Sequence, residues 1–255
     1  MKALYTAATG MSAQQTQLDN IANNLANVNT TGYKRSSVAF QDLYYQEVTG
    51  GGVQGDAQGV VQVGSGTKVV GNYRNHSMGD LVNTGVSSDV AIKGKGFFKV
   101  IDETGQEFYT RDGSFQRNAE GALITVGGLL VQGVSAISPD AESFSVGSSG
   151  EVTEYLSDGS EQSLGMLEVM DFVNPAGLNA IGGNLYRETQ SSGAAQFVQM
   201  GNGSTQLSQY MRESSNVDVA VELIEMIQAQ RSFELTSKVI QASDEALQTT
   251  ANLKR

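Results

Sequence analysis

From Ser215 to Arg255 the chain contains neither proline nor glycine. These two residues interrupt α-helices most strongly, so their absence predicts one long helix at the end of the chain. Ser215 is followed three residues later by Asp218, a pair that resembles a capping box and predicts the helix start. At 1.5 Å per residue the helix would be about 55 Å long, more than a compact domain of this size needs. We therefore expect it to contact something outside its own fold.

Apolar side chains follow two faces of this predicted helix. One set recurs at alternating spacings of three and four residues, the pattern of a coiled-coil seam. This seam consists of Met226, Ala229, Phe233, Thr236, Ile240, Ser243 and Leu247. A second stripe, rotated by about a third of a turn, consists of Leu235, Val239, Ala242, Ala246 and Leu253. A helix with two apolar faces requires two partners.

The same spacing occurs at the other end of the chain and predicts a second helix there. The turn residues between Asn29 and Gly32 predict its end, because Asn and Gly tolerate the left-handed conformation. We expect the two helices to pair as a coiled-coil-like hairpin. A hairpin that merely caps a β domain within one copy is the alternative. The N-terminal seam consists of Leu4, Ala7, Met11, Gln14, Leu18, Ile21, Leu25 and Val28.

Between the helices, short alternating segments are separated by glycine-containing turns. The turns at Asp102–Gly105, Asp112–Gly113 and Asp158–Gly159 predict antiparallel strands on either side. The predicted fold class is α+β, with long terminal helices and a central antiparallel β domain. We predict a terminal helical domain (1–35 and 210–255), an extended connecting segment (36–89) and a central β domain (90–209). Within the connecting segment, residues 46–62 are glycine-rich and match no pattern that predicts a role.

Composition excludes several classes of function. The formal net charge of −11 argues against nucleic-acid binding, since affinity for phosphates comes from clustered Lys and Arg. The absence of cysteine excludes thiolate metal sites and a cysteine nucleophile. No apolar run of about 20 residues is present, so we expect no membrane span. Polar residues and glycine interrupt the first residues before an apolar segment forms, so we expect no cleaved signal peptide.

Candidate chemical motifs are weak. His76 is the single histidine and has no neighbouring ligand pattern. The glycine pairs at Gly64–Gly66 and Gly94–Gly96 do not open a periodic helix, as a phosphate-binding loop would. The Asp-Gly-Ser segments at residues 112–114 and 158–160 lack the remaining ligands of a calcium loop, which favours hairpin turns. We therefore expect no cofactor, no metal and no enzymatic activity.

Two segments at opposite ends of the chain resemble one family. Residues 18–35 read LDNIANNLANVNTTGYKR, and residues 214–234 read SSNVDVAVELIEMIQAQRSFE. Both resemble the terminal signatures of the bacterial flagellar rod and hook protein family. Segments between them, AIKGKGFFKV, YTRDGSF and ETQSSGA, are also similar to family segments. The resemblance therefore covers nearly the whole chain.

The resemblance implies a structural subunit that polymerises helically. Length and C-terminal sequence are most similar to members that form the distal rod, a hollow drive shaft between motor and hook. It implies contacts with further copies of the chain, proximal rod proteins, the hook protein, the periplasmic and outer-membrane rings, and the flagellar type III export apparatus. The implied location is the basal body, where the rod crosses the periplasm toward the outer membrane. A proximal-rod or hook-type subunit and a monomeric export-associated binding protein are the alternatives.

Subunit contacts are expected on the apolar stripes and on the asparagine-rich signature. Side-chain amides on a short helical segment are suited to hydrogen-bonding a neighbouring backbone at a crowded contact. The predicted interface residues are Leu4, Met11, Leu18, Ile21, Asn23, Asn24, Leu25, Asn27, Val28, Asn216, Val217, Met226, Ile227, Gln230, Arg231, Phe233, Leu235, Val239, Ile240 and Leu247.

Overall fold

The structure of the protein is a computed structural model that describes residues 2–48, 61–200 and 205–253. Within these ranges the fold is α+β, with a helix at each end of the chain and antiparallel strands between them. The chain forms two compact units. The predicted domain boundaries stay a prediction. The first unit combines Met1–Ala26, Ser36–Tyr73 and Asp218–Arg255, and the second combines Asn27–Arg35 and Arg74–Val217.

Two long helices, α1 (Lys2–Ala26) and α2 (Val219–Leu253), belong to the first unit. Asp218, rather than Ser215, caps α2. Its Oδ1 accepts hydrogen bonds from the backbone N–H groups of Ala220 (2.8 Å) and Val221 (3.3 Å). These N–H groups have no partner inside the helix, which is why a carboxylate here sets the helix start.

The two helices run antiparallel and contact each other. Asn24 Nδ2 lies 3.3 Å from Glu222 Oε2 near one end of the contact. Toward the other end, a methyl group added to Gly10 would lie 3.9 Å from Thr236 Cγ2. The coiled-coil pairing of these helices, with knobs-into-holes packing, stays a prediction.

The rest of the first unit is a long β ribbon, where the sequence predicted an extended connection. β1 (Ser36–Asp42) pairs with β4 (Thr67–Arg74), and β2 (Tyr45–Val48) pairs with β3 (Val61–Gly64). Between the two pairs, the N–H of Leu43 donates to the carbonyl of Gly66 (2.8 Å). Residues 49–60, which hold most of the glycine-rich segment 46–62, lie outside the described residues.

The β ribbon lies along α1. Asn20 Nδ2 donates to the carbonyl of Ser36 at one end (2.7 Å). Farther along, the N–H of Thr67 donates to Thr9 Oγ1 (3.4 Å). Polar side chains of α1 therefore position a segment that shows no helical or sheet periodicity of its own.

The second unit is built from short antiparallel strands. Its largest sheet has the order β16-β17-β8-β7-β11-β10-β9, with β15 pairing to both β7 and β18. The strands β12, β13 and β14 form a meander, and β6 pairs with β19 as β5 does with β20. The strands are β5 (Leu81–Asn83), β6 (Val90–Gly94), β7 (Phe97–Ile101), β8 (Glu107–Thr110), β9 (Phe115–Arg117), β10 (Leu123–Thr125), β11 (Leu130–Val131), β12 (Ala141–Val146), β13 (Glu151–Leu156), β14 (Glu161–Met166), β15 (Val169–Asp171), β16 (Asn179–Gly182), β17 (Leu185–Arg187), β18 (Gln196–Phe197), β19 (Thr205–Gln209) and β20 (Met211–Glu213), with a 3₁₀ turn at Pro175–Gly177.

The core of the second unit joins these sheets. Alternate side chains of β6 and β7 point inward, including Ile92, Phe98 and Val100, and they pack with Val152 and Leu167. Alternation along a strand places every second side chain on the buried face. A smaller aromatic cluster consists of Phe97, Tyr109, Phe172 and Tyr186.

Of the three predicted turns, two are present and one is wrong. Asp102–Gly105 connects the paired strands β7 and β8. Asp158–Gly159 connects the paired strands β13 and β14, as a hairpin turn does. Asp112–Gly113 does not connect paired strands, because β8 pairs with β7 and β17 while β9 pairs with β10. A Cβ added to Gly113 would lie 1.6 Å from the carbonyl oxygen of Val90. This glycine is therefore needed for a close backbone approach rather than for a hairpin.

Candidate subunit interface

The predicted seams of the two helices face inward within one copy. On α2, Ala229 is buried, and on α1, Ala7 and Ile21 are buried. At the C-terminal end of the seam, Leu247 is 44% exposed. The remaining large apolar seam residues are partly buried, namely Leu4, Met11, Leu18, Leu25, Met226, Phe233 and Ile240.

The second stripe of α2 faces solvent from Leu235 to Ala246. Leu235 is 61% exposed, Val239 is 51% exposed and the small Ala242 and Ala246 are also exposed. Toward the helix start the apolar surface continues through Ile224 and Ile227, which are 56% and 50% exposed. We call Ile224, Ile227, Leu235, Val239, Ala242 and Ala246 the outer stripe. Exposed apolar surface of this kind marks a site of protein contact.

Three predicted polar interface residues are exposed on the helices. Asn23 lies on α1, while Gln230 and Arg231 lie on α2. In the α-helix, Arg231 projects from the same side as Ile224 and Leu235, at multiples of about 100° per residue. It therefore borders the outer stripe.

Asn24 was predicted at a subunit contact but is buried inside the first unit. Its Nδ2 donates to the carbonyl of Ser36 (2.8 Å), and its Oδ1 accepts from the Ser36 N–H (3.0 Å). The same amide reaches Glu222 Oε2 across the helix pair. The amide bonds a backbone segment as expected, but that segment belongs to the same chain.

Four further predicted interface residues belong to the second unit. Asn27 and Val28 follow the end of α1 at Ala26, so Val28 is not part of the helical seam. Val217 is buried. Asn216 is occupied within the chain: its Oδ1 accepts from the N–H of Arg35 (2.7 Å), and its Nδ2 donates to the backbone carbonyls of residues 75 (2.9 Å) and 77 (3.1 Å).

The second unit contains a buried ion cluster that the sequence did not indicate. Glu213 accepts hydrogen bonds from Lys34 Nζ (2.5 Å) and Arg111 Nε (2.8 Å), and all three side chains are at most 3% exposed. Burial lowers the pKa of Lys34 and of Arg111, while the Glu213 carboxylate opposes this shift in both. Lys34 and Arg111 lie in recognisable family segments, but nothing in their spacing indicates that both contact residue 213.

His76 lies near this cluster, among aromatic rings. Its ring contacts Phe97 and Tyr186 edge-on, with centroids 5.5 and 5.3 Å apart. Its Nδ1 is buried without a hydrogen-bond partner among the described residues. Burial, together with the positive charges of Lys34, Arg74 and Arg111, lowers the pKa of His76 to about 4. This histidine packs as a neutral ring.

The other candidate motifs lie in connections. Gly64 and Gly94 end β3 and β6, and Gly66 and Gly96 lie in the connections to β4 and β7. Among residues 2–48, 61–200 and 205–253, no group of three or more potential ligands is arranged to hold a metal ion. In the same ranges, neither helix is apolar over enough of its length to cross a membrane.

Three family models match successive parts of the chain. Residues 4–34 match "Flagella basal body rod protein", and residues 91–154 match "Flagellar hook protein FlgE/F/G D1 domain". Residues 207–253 match "Flagellar basal body rod FlgEFG protein C-terminal". The first and third models cover the two terminal segments that carried the resemblance.

Curated relatives are similar over the full length. The chain is 43% identical to the flagellar basal-body rod protein FlgG of Buchnera aphidicola subsp. Baizongia pistaciae, over 96% of this chain and 97% of the relative. It is 42% identical to FlgG of Bacillus subtilis and 41% identical to FlgG of Caulobacter vibrioides, over 100% of both chains in each case. The flagellar hook protein FlgE of Treponema pallidum is 39% identical, but over only 52% of this chain and 29% of the relative.

Proposed function

This chain belongs to the flagellar basal-body rod protein family, and from that premise we propose that it polymerises helically into the distal rod, a hollow drive shaft from motor to hook. Like the rod proteins that it matches, it is a structural subunit of the flagellar basal body and not an enzyme. The full-length match to rod proteins, against the partial match to a hook protein, favours the rod over a hook-type role.

The outer stripe is the observation that carries the polymerisation proposal. Its large side chains are at least half exposed on a helix whose other face already packs within the same copy. Burial of apolar surface contributes about 25 cal/mol per Å², so covering such a stripe on every copy stabilises an assembly. A contact between different surfaces of identical subunits yields a helical filament when the rotation it imposes does not close into a ring.

We assign the predicted interface residues different roles in that filament. The exposed residues Asn23, Ile227, Gln230, Arg231, Leu235, Val239 and Leu247 contact neighbouring copies directly. The partly buried seam residues pair α1 with α2 in a coiled-coil-like manner and present the outer stripe. The buried Ile21, Asn24 and Val217 hold the fold of the single copy.

Assembly with other basal-body components follows from family membership. We place proximal rod proteins below the polymer, the hook protein above it and the periplasmic and outer-membrane rings around it. The flagellar type III export apparatus delivers the chain, and the polymer crosses the periplasm.

Charge substitution on the outer stripe tests the polymerisation proposal. Val239→Glu places a charge at a position that the proposal buries between copies, so we expect loss of polymer measured by sedimentation and electron microscopy. The same residue is exposed in one copy, so thermal unfolding of the monomer should change by no more than about 0.5 kcal/mol.

Gln241→Glu is the matched control, because residue 241 is exposed on the same helix away from the outer stripe. It should polymerise like the unchanged chain. Polymers of Val239→Glu that match the control in amount and length would contradict the assigned interface. An unchanged chain that stays monomeric with added rod partners, with both ends ordered, would contradict the proposed function itself.

A further inference from the structure

Glu213 is the centre of a set of bonds that joins separate segments of the second unit. Its Oε1 accepts from Lys34 Nζ (2.5 Å) and from the N–H of Gly79 (2.9 Å), and its Oε2 accepts from Arg111 Nε (2.8 Å). Its backbone carbonyl accepts from the N–H of Gly32 (2.8 Å). Glu213 therefore uses both its side chain and its backbone to hold the segment around residues 32–34.

The two cations extend this set of bonds. Lys34 Nζ also donates to the carbonyl of Ser77 (2.7 Å). The two terminal nitrogens of Arg111 donate to the carbonyls of Gly96 (2.5 Å) and Gly94 (2.7 Å). Hydrogen bonds are directional, so the cluster fixes the relative position of the segments that it joins more narrowly than apolar packing would. Buried ionic groups are known to act in this way in some proteins, although they add little net stability.

The cluster joins the two segments that adjoin the terminal helices. Lys34 lies in the segment that follows α1, and Glu213 lies in the segment that leads into α2. An unpaired buried charge is strongly destabilising, so neither segment is stable in its observed place without the other. Asn216 adds a second connection between the same segments through its bond to the N–H of Arg35.

We propose that Glu213 is a positioning residue, which fixes the segment after α1 and the segment before α2 at one spacing and thereby sets the register in which copies assemble. The second half of this statement rests on the proposed function. The first half concerns the second unit alone and is measurable on a single copy.

The test compares two variants by the distance between two labels. The chain has no cysteine, so Asn29→Cys and Arg212→Cys, both at exposed positions, accept spin labels selectively. Glu213→Gln leaves the buried cations Lys34 and Arg111 without the carboxylate that pairs with both, and it is expected to unfold the unit. The double variant Lys34→Met/Glu213→Gln removes one charge of each sign and so keeps the net charge of the cluster. Arg111 retains its hydrogen bonds to the carbonyls of Gly94 and Gly96 and the attraction of the Asp171 carboxylate, so this variant is expected to fold.

In the double variant we expect a broadened distance distribution, where the unchanged chain gives a single narrow one. We also expect the amount of straight, regular polymer to fall about tenfold, the change that a loss of about 1.4 kcal/mol produces in an equilibrium. Glu107→Gln is the matched control, because its ion pair with Lys99 (2.8 Å) lies at the surface, with Glu107 49% exposed. It should alter neither readout.

A folded double variant with a narrow distance distribution and normal polymer would overturn the inference. A merely structural role would lower the unfolding temperature and leave the distance distribution of the folded protein unchanged, which would also overturn it. If the unchanged chain fails to polymerise while the double variant still broadens the distribution, the proposed function fails and the positioning role of Glu213 within one copy stands.

Discussion

At the scale of single residues, Asn24 illustrates how a polar side chain on an apolar helix face becomes structural. Its amide group hydrogen-bonds both the N–H and the carbonyl of Ser36, as a neighbouring strand would, and so holds β1 against α1. The neighbouring Asn23 is exposed instead. Two adjacent residues of the same type therefore have different roles, because consecutive helix positions differ by about 100° in direction.

Asn24→Ala should destabilise the first unit by about 2 kcal/mol, because it leaves the N–H of Ser36 buried without its partner. Asn23→Ala is the matched control and should cost less than half as much, since solvent can replace a bond lost at an exposed side chain. Urea unfolding followed by helical circular dichroism measures both. Equal losses would show that burial of Asn24 does not determine its contribution.

The buried His76 ring should make the free energy of unfolding depend on pH. Its pKa is about 4 in the folded chain and about 6.5 in the unfolded chain, so between these values the unfolded state binds more protons. The contribution to stability is therefore complete above about pH 6.5 and is lost as the pH falls toward 4. We expect a loss of about 1 kcal/mol in unfolding free energy between pH 7.5 and 5.5.

His76→Phe should remove this dependence, because phenylalanine suits the aromatic surroundings and does not titrate. Urea unfolding at several pH values above 5.5 separates this effect from the titration of ordinary carboxylates. An unchanged slope in His76→Phe would assign the effect to other groups.

At the scale of elements, two glycines of the first unit predict opposite effects of the same substitution. Gly10 lies inside α1, and an added Cβ would make an ordinary contact 3.9 Å from Thr236 Cγ2. Gly66 has a φ of 111°, and its added Cβ would lie 2.2 Å from Thr9 Oγ1. One site accepts a side chain, and the other does not.

Gly10→Ala should stabilise the protein by about 0.5–1 kcal/mol, because alanine has the higher helix propensity and restricts the unfolded chain. Gly66→Ala should destabilise it by at least about 1 kcal/mol through backbone strain. Thermal unfolding of both variants measures the difference in sign. If Gly10→Ala were destabilising, α1 and α2 would have to lie closer together at Thr236 than the 3.9 Å contact allows.

At the scale of the whole molecule, the first unit depends on both ends of the chain. α1 and α2 are separated by nearly two hundred residues, as the Asn24–Glu222 contact shows. The second unit has its own core and ends at Val217. In proteins most of the stability of a helix comes from the packing of its apolar face, so removal of one helix should unfold the other.

A chain that ends at residue 217 should therefore lose the helical signal of both helices and keep a cooperative β unit. Far-UV circular dichroism and limited proteolysis test this, with the full chain as the reference. Protection of residues 2–26 in the shortened chain would show that α1 is stable without α2.

The pattern of neighbouring residues was sufficient to predict the elements that are determined by short-range interactions. The helix at each end, antiparallel strands in the middle of the chain and the family signatures were predicted, and they are present. The ribbon of β1 to β4 was not predicted as paired strands. Its pairing joins residues on both sides of the glycine-rich segment, and its side chains are mostly exposed, so no alternation of polar and apolar residues marks it.

By itself, the sequence determined the two helices, the two apolar faces of the C-terminal one and membership of a rod-forming family, because helix periodicity and terminal signatures depend on neighbouring residues. Only the tertiary structure decided which face is covered within one copy, that Asn24 and Asn216 bond their own chain, and that Lys34, Arg111 and Glu213 meet in the interior. The physical reason is that burial and ion pairing depend on contacts between residues that lie far apart in the chain. The spacing of charged residues along the sequence does not distinguish a buried charge from an exposed one.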